Sequence, residues 1–164
     1  MIIKTHKCKN ILHPFPVIAW LIMIFQKMMP WNEDSYSHIV LSTDDDGVVT
    51  FYEINFGGML VSDEEDFLKK YRLVDSHTFK EEDSKEKYLA WFSTHNKKRY
   101  DFFQLIGLAL KVVGITRFNR MGEDLNKLIC SELALDYAAK RYDLSIRDFD
   151  NYDMVGAWDL ITNY

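Results

Sequence analysis

Three side chains in this sequence have the types needed for nucleophilic chemistry: the thiol of Cys130, the imidazole of His38 and the carboxylate of Glu53. A cysteine attacks carbonyls only as its thiolate, a form favoured at a helix N-terminus by the outward N–H groups and the helix dipole. Cys130 stands at the leading end of such a segment. From Leu125 to Tyr142 the pattern is helical, and Cys130, Leu133, Ala134, Tyr137, Ala138 and Arg141 share one face. A helix that begins near Ile129 places the thiol in its first turn. The competing use of a lone cysteine is as a small buried hydrophobe, and that use is the commoner one.

The histidine and the glutamate gain meaning from the elements that carry them. His38–Ser42 and Val48–Ile54 are rich in β-branched and aromatic residues, and Thr43-Asp44-Asp45-Asp46-Gly47 lies between them. That is a β-hairpin with Asp-Gly turn chemistry. With Asp45-Asp46 as the loop, Glu53 faces His38 directly. With Asp46-Gly47 as the loop, Glu53 faces Val40 and is a diagonal neighbour of His38 on the same side of the sheet. Either register sets a carboxylate beside an imidazole, an arrangement that fixes the ring tautomer and supports its charged form. Thiol, imidazole and carboxylate are the parts of a nucleophilic triad.

The remaining elements form an α+β pattern, a small antiparallel sheet packed against several helices. His13-Pro14-Phe15-Pro16 is extended, because a residue that precedes proline is pushed out of the helical region. A helix over about Val17–Met28 follows, stopped by Pro30. Phe56-Gly57-Gly58-Met59 breaks the second hairpin strand. Ser62-Asp63-Glu64-Glu65 reads as a capping box that opens a helix through about Tyr71, and Leu73-Val74 as a short strand. Asp83 or Ser84 caps a helix through about Phe92. Asp101 caps another through about Val113, with Gly114 as its left-handed stop. The tail reads as a loop and a short closing segment around Trp158-Asp159-Leu160-Ile161.

The 164 residues suit one domain, with residues 1–30 as an extended segment plus apolar helix and 31–164 as the catalytic core. Hydrophobic residues make up 48% and aromatics 15%, enough for a core without disulfides or metals. A net charge of −5 with scattered lysines lacks the clustered basic footprint of a nucleic-acid binder. Two cysteines do not make a secreted disulfide framework, so a reducing, cytoplasmic setting is the simpler expectation. The apolar run 17–25 falls short of the ~20 residues that span a bilayer. No small-residue cleavage site follows it, which leaves a buried or groove-lining helix, with interfacial membrane contact as the lesser alternative.

Other ligand-like residues carry less. His6, Cys8 and His13 lack a fourth ligand and zinc-site spacing, and Asp44–Asp46 lack the spaced acids of a calcium loop, so neither metal nor cofactor is expected. Glu132 reads as a first-turn acid that complements the helix dipole, since a carboxylate in the site would oppose ionisation of the adjoining thiol. His77 and His95 sit in polar contexts and read as surface residues.

Tyr36-Ser37-His38-Ile39-Val40, a Glu in the next strand, Tyr100-Asp101 and Ile129-Cys130-Ser131-Glu132-Leu133 occur in an order that resembles the circularly permuted NlpC/P60 proteins. These are papain-like enzymes in which the histidine precedes the cysteine. The resemblance covers about Trp31 to Ile161. It implies Cys130 as nucleophile, His38 as its base and Glu53 as the polar third member. It also implies an amidase, peptidase or acyl-transferase acting on a peptide, cell-wall or lipid acyl substrate. Two departures bear on substrate class: Ile54 follows the glutamate where the family has a small residue, and the stretch before Trp31 is unlike the usual lead-in. The alternative is a catalytically silent binding or inhibitor protein on the same fold, because fold does not fix function.

Overall fold

A computed structural model describes residues 1–11, 36–55, 57–80, 83–101, 103–104, 106–107, 110, 114, 127–143 and 154–163. The apolar run 17–25 and the helix expected over Val17–Met28 lie outside the described residues. The elements in chain order are β1 (Ile2–Asn10), β2 (His38–Asp45), β3 (Val48–Asn55), β4 (Gly58–Asp63), α1 (Glu64–Leu68), β5 (Tyr71–Thr78), α2 (Lys85–Ser93), β6 (Arg99–Tyr100), β7 (Lys127–Leu128), α3 (Cys130–Tyr142) and α4 (Met154–Thr162). The class is α+β, as the sequence pattern indicates.

One five-stranded antiparallel sheet, ordered β4-β3-β2-β1-β5, organises the molecule. The hairpin closes at Asp46-Gly47, with φ of +52° and +85°, the positive pair that a two-residue hairpin turn requires. Leu41 consequently pairs with Tyr52 and Asp44 with Val49. Of the two registers open to the sequence, this is the diagonal one.

β1 is the main departure from the sequence reading. Its residues pair with β2 on one side, His6 opposite Val40 and Cys8 opposite His38, and with β5 on the other. Ile2–Asn10 is therefore an inner strand of the core sheet rather than an extension preceding it. β4, also unforeseen, is an edge strand with Val61 exposed. Gly57 is a turn residue before it, and Gly58, at φ +103°, opens the strand in a conformation open to glycine. α1 is shorter than the sequence suggests, ending at Leu68, and its cap is Asp63, whose Oδ1 accepts from Asp66 N at 2.8 Å, not Ser62. β5 runs the full eight residues from Tyr71 to Thr78. The α2 cap is Ser84, accepting from Lys87 N at 3.2 Å.

Strand alternation divides the core in two. On one face Ile3, Ile39, Leu41, Tyr52 and Ile54 join Leu133, Leu135, Tyr137 and Ala138 of α3, together with Tyr88, Trp91 and Phe92 of α2 and Ala157, Trp158 and Ile161 of α4. On the other face Cys8, Val40, Phe51, Phe67 and Tyr71 form a smaller cluster beneath α1. Phe67 stacks between Phe51 (4.0 Å) and Tyr71 (4.7 Å). Two histidines expected at the surface are drawn inward. His95 is buried, its Nε2 3.3 Å from Asp136 Oδ2 and its ring against Trp91. His77 is half-buried on β5 with its ring edge-on to Phe79. Among the described residues, no helix is long and apolar enough to cross a membrane.

Candidate active site

The short parallel ladder β6–β7 delivers the chain to the start of α3. Ile129 is the extended N-cap residue, and Cys130 is the first helical residue, where the sequence places it. An isoleucine side chain cannot cap, so the work falls to other groups. Glu132 Oε2 accepts the Ile129 N–H at 2.8 Å, and Glu132 Oε1 accepts Gln104 Nε2 at 2.6 Å. Asp101 Oδ1 in turn accepts Gln104 N at 3.0 Å, and Asp101 N donates to Leu128 O at 3.0 Å. All three polar side chains are buried. Glu132 is thus a cap and dipole partner, the reading that the sequence favours, and Asp101 caps the turn ahead of Gln104 as expected. This linked set fixes the position of Cys130.

His38 is the first residue of β2, so thiol and imidazole meet at the end of the sheet. The apolar side of α3 covers the face bearing Ile39 and Leu41, whereas alternation sets His38 and Glu53 on the side of Val40 and Phe51. Cys130, the leading residue of the helix, packs in the same cluster as Leu133 and Ala134 and also meets His38. His38 Nε2 lies 2.8 Å from Glu53 Oε2, and the ring also hydrogen-bonds the Cys130 side chain. With Nε2 committed to the carboxylate, Nδ1 is the nitrogen that serves the sulfur. The three residues expected to act together are therefore in one hydrogen-bonded row: sulfur, imidazole, carboxylate.

Electrostatics follow from that row. Burial opposes protonation of His38, but the charge and hydrogen bond of Cys130, together with those of Glu53, outweigh it and raise its pKa from 6.5 to about 10. Burial alone would push the Glu53 carboxyl up. The hydrogen bond and charge of His38, the Tyr71 hydroxyl and the Lys70 ammonium instead hold it below its ordinary value. A buried carboxylate paired to an imidazolium is the result.

Two further residues neighbour the row. Cys8 sits opposite His38 across the β1–β2 ladder and is fully buried. Burial first, then the charges of Glu53 and Cys130, push its thiol well above the ordinary range. Tyr100, at the end of β6, has its phenol pushed up by burial and by the charges of Cys130, Glu132 and Asp101. Cys130 is 3% exposed, His38 6% and Glu53 1%, so the row is enclosed. A cavity of about 430 Å³ on the α1 side of the sheet is lined by residues that include Lys4, His6, Ser42, Asp44 and Phe51, and by none of the three. Among the described residues, no group of three or more His, Cys, Asp or Glu side chains is arranged to hold a metal ion.

No family model matches the chain, and no curated protein or solved structure is significantly similar to it.

Proposed function

We propose that the chain is a thiol hydrolase or acyl-transferase that cleaves an amide or ester bond, built on a permuted papain-like fold of the NlpC/P60 type. One observation carries the reading: Cys130, at the first position of α3, hydrogen-bonds His38, whose Nε2 is held at 2.8 Å by Glu53.

In this mechanism the Cys130 thiolate attacks the substrate carbonyl carbon and its π electrons move to oxygen. The backbone N–H of Cys130 points along the helix axis towards the developing oxyanion. Collapse of the tetrahedral intermediate breaks the bond to the leaving amine or alcohol, which takes the proton from His38 Nδ1. The thioester then passes to water or another acceptor, which His38 deprotonates as it attacks. Product departs as acid or transferred acyl group, and thiolate and imidazolium are restored. Glu53 holds the ring in place and stabilises its charge throughout. The substrate class consistent with this chemistry is a peptide, cell-wall or lipid acyl compound.

The closure of the site favours a second reading, a silent binding or inhibitor protein that keeps the triad unused. Incubation with a series of p-nitrophenyl acyl esters separates the two. An acyl adduct on the Cys130 peptide, seen by mass spectrometry and absent from Cys130→Ala, supports the enzyme. Absence of any adduct across the series, with Cys130 still open to iodoacetamide, supports the silent protein.

A further inference from the structure

Tyr71 touches both partners of the His38–Glu53 pair. It is the first residue of β5 and is 4% exposed. Its ring stacks on the His38 imidazole at a centroid separation of 5.2 Å and an interplanar angle of 20°. Its hydroxyl hydrogen-bonds the Glu53 carboxylate. The ring also stacks on Phe67 at 4.7 Å, and Phe67 is itself stacked on Phe51. The strand order makes this contact a long-range one, because β1 separates β5 from β2.

We propose that Tyr71 is a positioning residue, a fourth member of the site that fixes the imidazole plane by stacking and keeps Glu53 ionised by donating a hydrogen bond. The proposal rests on the thiol chemistry assigned above to Cys130. Its physical basis is the stoichiometry of a buried carboxylate. Two oxygens removed from water need donors, and His38 supplies one at Oε2. The Tyr71 hydroxyl supplies another. Burial and the charge of Glu53 push the Tyr71 phenol far above its ordinary range, so it keeps its proton and donates throughout the working pH range. The stack limits rotation of the imidazole, and a fixed ring keeps Nδ1 directed at the sulfur while Nε2 faces Glu53. A core aromatic whose only role is packing would do neither.

Tyr71→Phe keeps the ring and removes the donor, which separates the two roles. The readout is the rate of Cys130 alkylation by iodoacetamide against pH. In wild type the rate falls at low pH as the site takes up protons. In Tyr71→Phe the Glu53 carboxyl has lost a donor and protonates more readily, so this acid limb moves up by about one pH unit, a rate roughly tenfold lower on the limb. Circular dichroism of the variant should match wild type. Superimposable pH profiles overturn the proposal. The Cys130 assignment fails in a different way: wild-type alkylation that is unchanged by His38→Ala. Should Tyr71→Phe fail to fold, NMR of the wild-type protein decides the matter. A slowly exchanging Tyr71 hydroxyl proton with cross-relaxation to the His38 ring supports the positioning role, and a freely exchanging hydroxyl without it contradicts that role.

Discussion

His38 Nε2 meets Glu53 Oε2 at 2.8 Å although the two residues are not partners across the hairpin. The register pairs Leu41 with Tyr52, so the strands bring Glu53 opposite Val40, and the His38 contact is made along the diagonal. Long side chains span that diagonal comfortably, and here the span lets one carboxylate oxygen reach Nε2 while Nδ1 serves Cys130. Orientation of the imidazole is the consequence on which the chemistry depends.

Glu53→Gln tests that consequence. The amide oxygen can still accept from Nε2, but the negative charge that supports the imidazolium is gone. Turnover of any acyl substrate should fall by about 10²-fold or more, while the far-ultraviolet spectrum is retained. Glu53→Ala should behave differently, costing about 3–5 kcal/mol in denaturant unfolding, because it leaves a buried imidazolium without its carboxylate. Full turnover in Glu53→Gln would remove Glu53 from the site.

The pH dependence of stability has a definite sign. His38 holds its proton in the folded state to about pH 10 against 6.5 when free, so its contribution is complete below 6.5 and is lost as pH rises towards 10. Glu53, with a lowered pKa, contributes above its free value of 4.5 and is lost as pH falls below it. His6 is buried, with Nε2 2.7 Å from Ser42 Oγ, and burial followed by Lys4 lowers its pKa to about 4. Its unfolded form takes up a proton that the folded form refuses, so stability also declines between about 6.5 and 4. Urea midpoints measured from pH 4 to pH 10 should therefore peak near pH 6.5. A midpoint that rises steadily to pH 9 would contradict the His38 assignment.

Glu132→Ala should loosen the start of α3. The substitution removes the bonds to Ile129 N and Gln104 Nε2 from a buried setting, at a cost of about 1–3 kcal/mol. Because the same bonds fix Cys130, hydrogen exchange at residues 129–133 should quicken more than exchange in β2. Equal effects in both elements would mean that Glu132 is a general core residue.

What the sequence made legible was local. The hairpin followed from β-branched runs around Asp46-Gly47, the α2 start from Ser84, and the thiol at a helix start from the periodicity after Ile129. What stayed hidden depends on distant partners. β1 alternates lysines with Ile3, Thr5 and Cys8, and its strand partners lie some thirty to seventy positions away, as in His6 with Val40 and Lys4 with Thr78. The same is true of His95, which sits among polar neighbours in sequence and is buried by Asp136 and Trp91. Tyr71 reads in the sequence as the end of a helix, and only the folded sheet makes it the first residue of β5.

The most direct measurement is the rate at which limiting iodoacetamide labels each cysteine at pH 7, read by peptide mass mapping in wild type and His38→Ala. Cys8 is the internal reference, fully buried and held protonated. The expected result is selective labelling of Cys130, slowed at least tenfold in His38→Ala while Cys8 stays silent in both. Labelling of Cys130 that is no faster than that of Cys8, or that is indifferent to His38, would contradict the thiol–imidazole site.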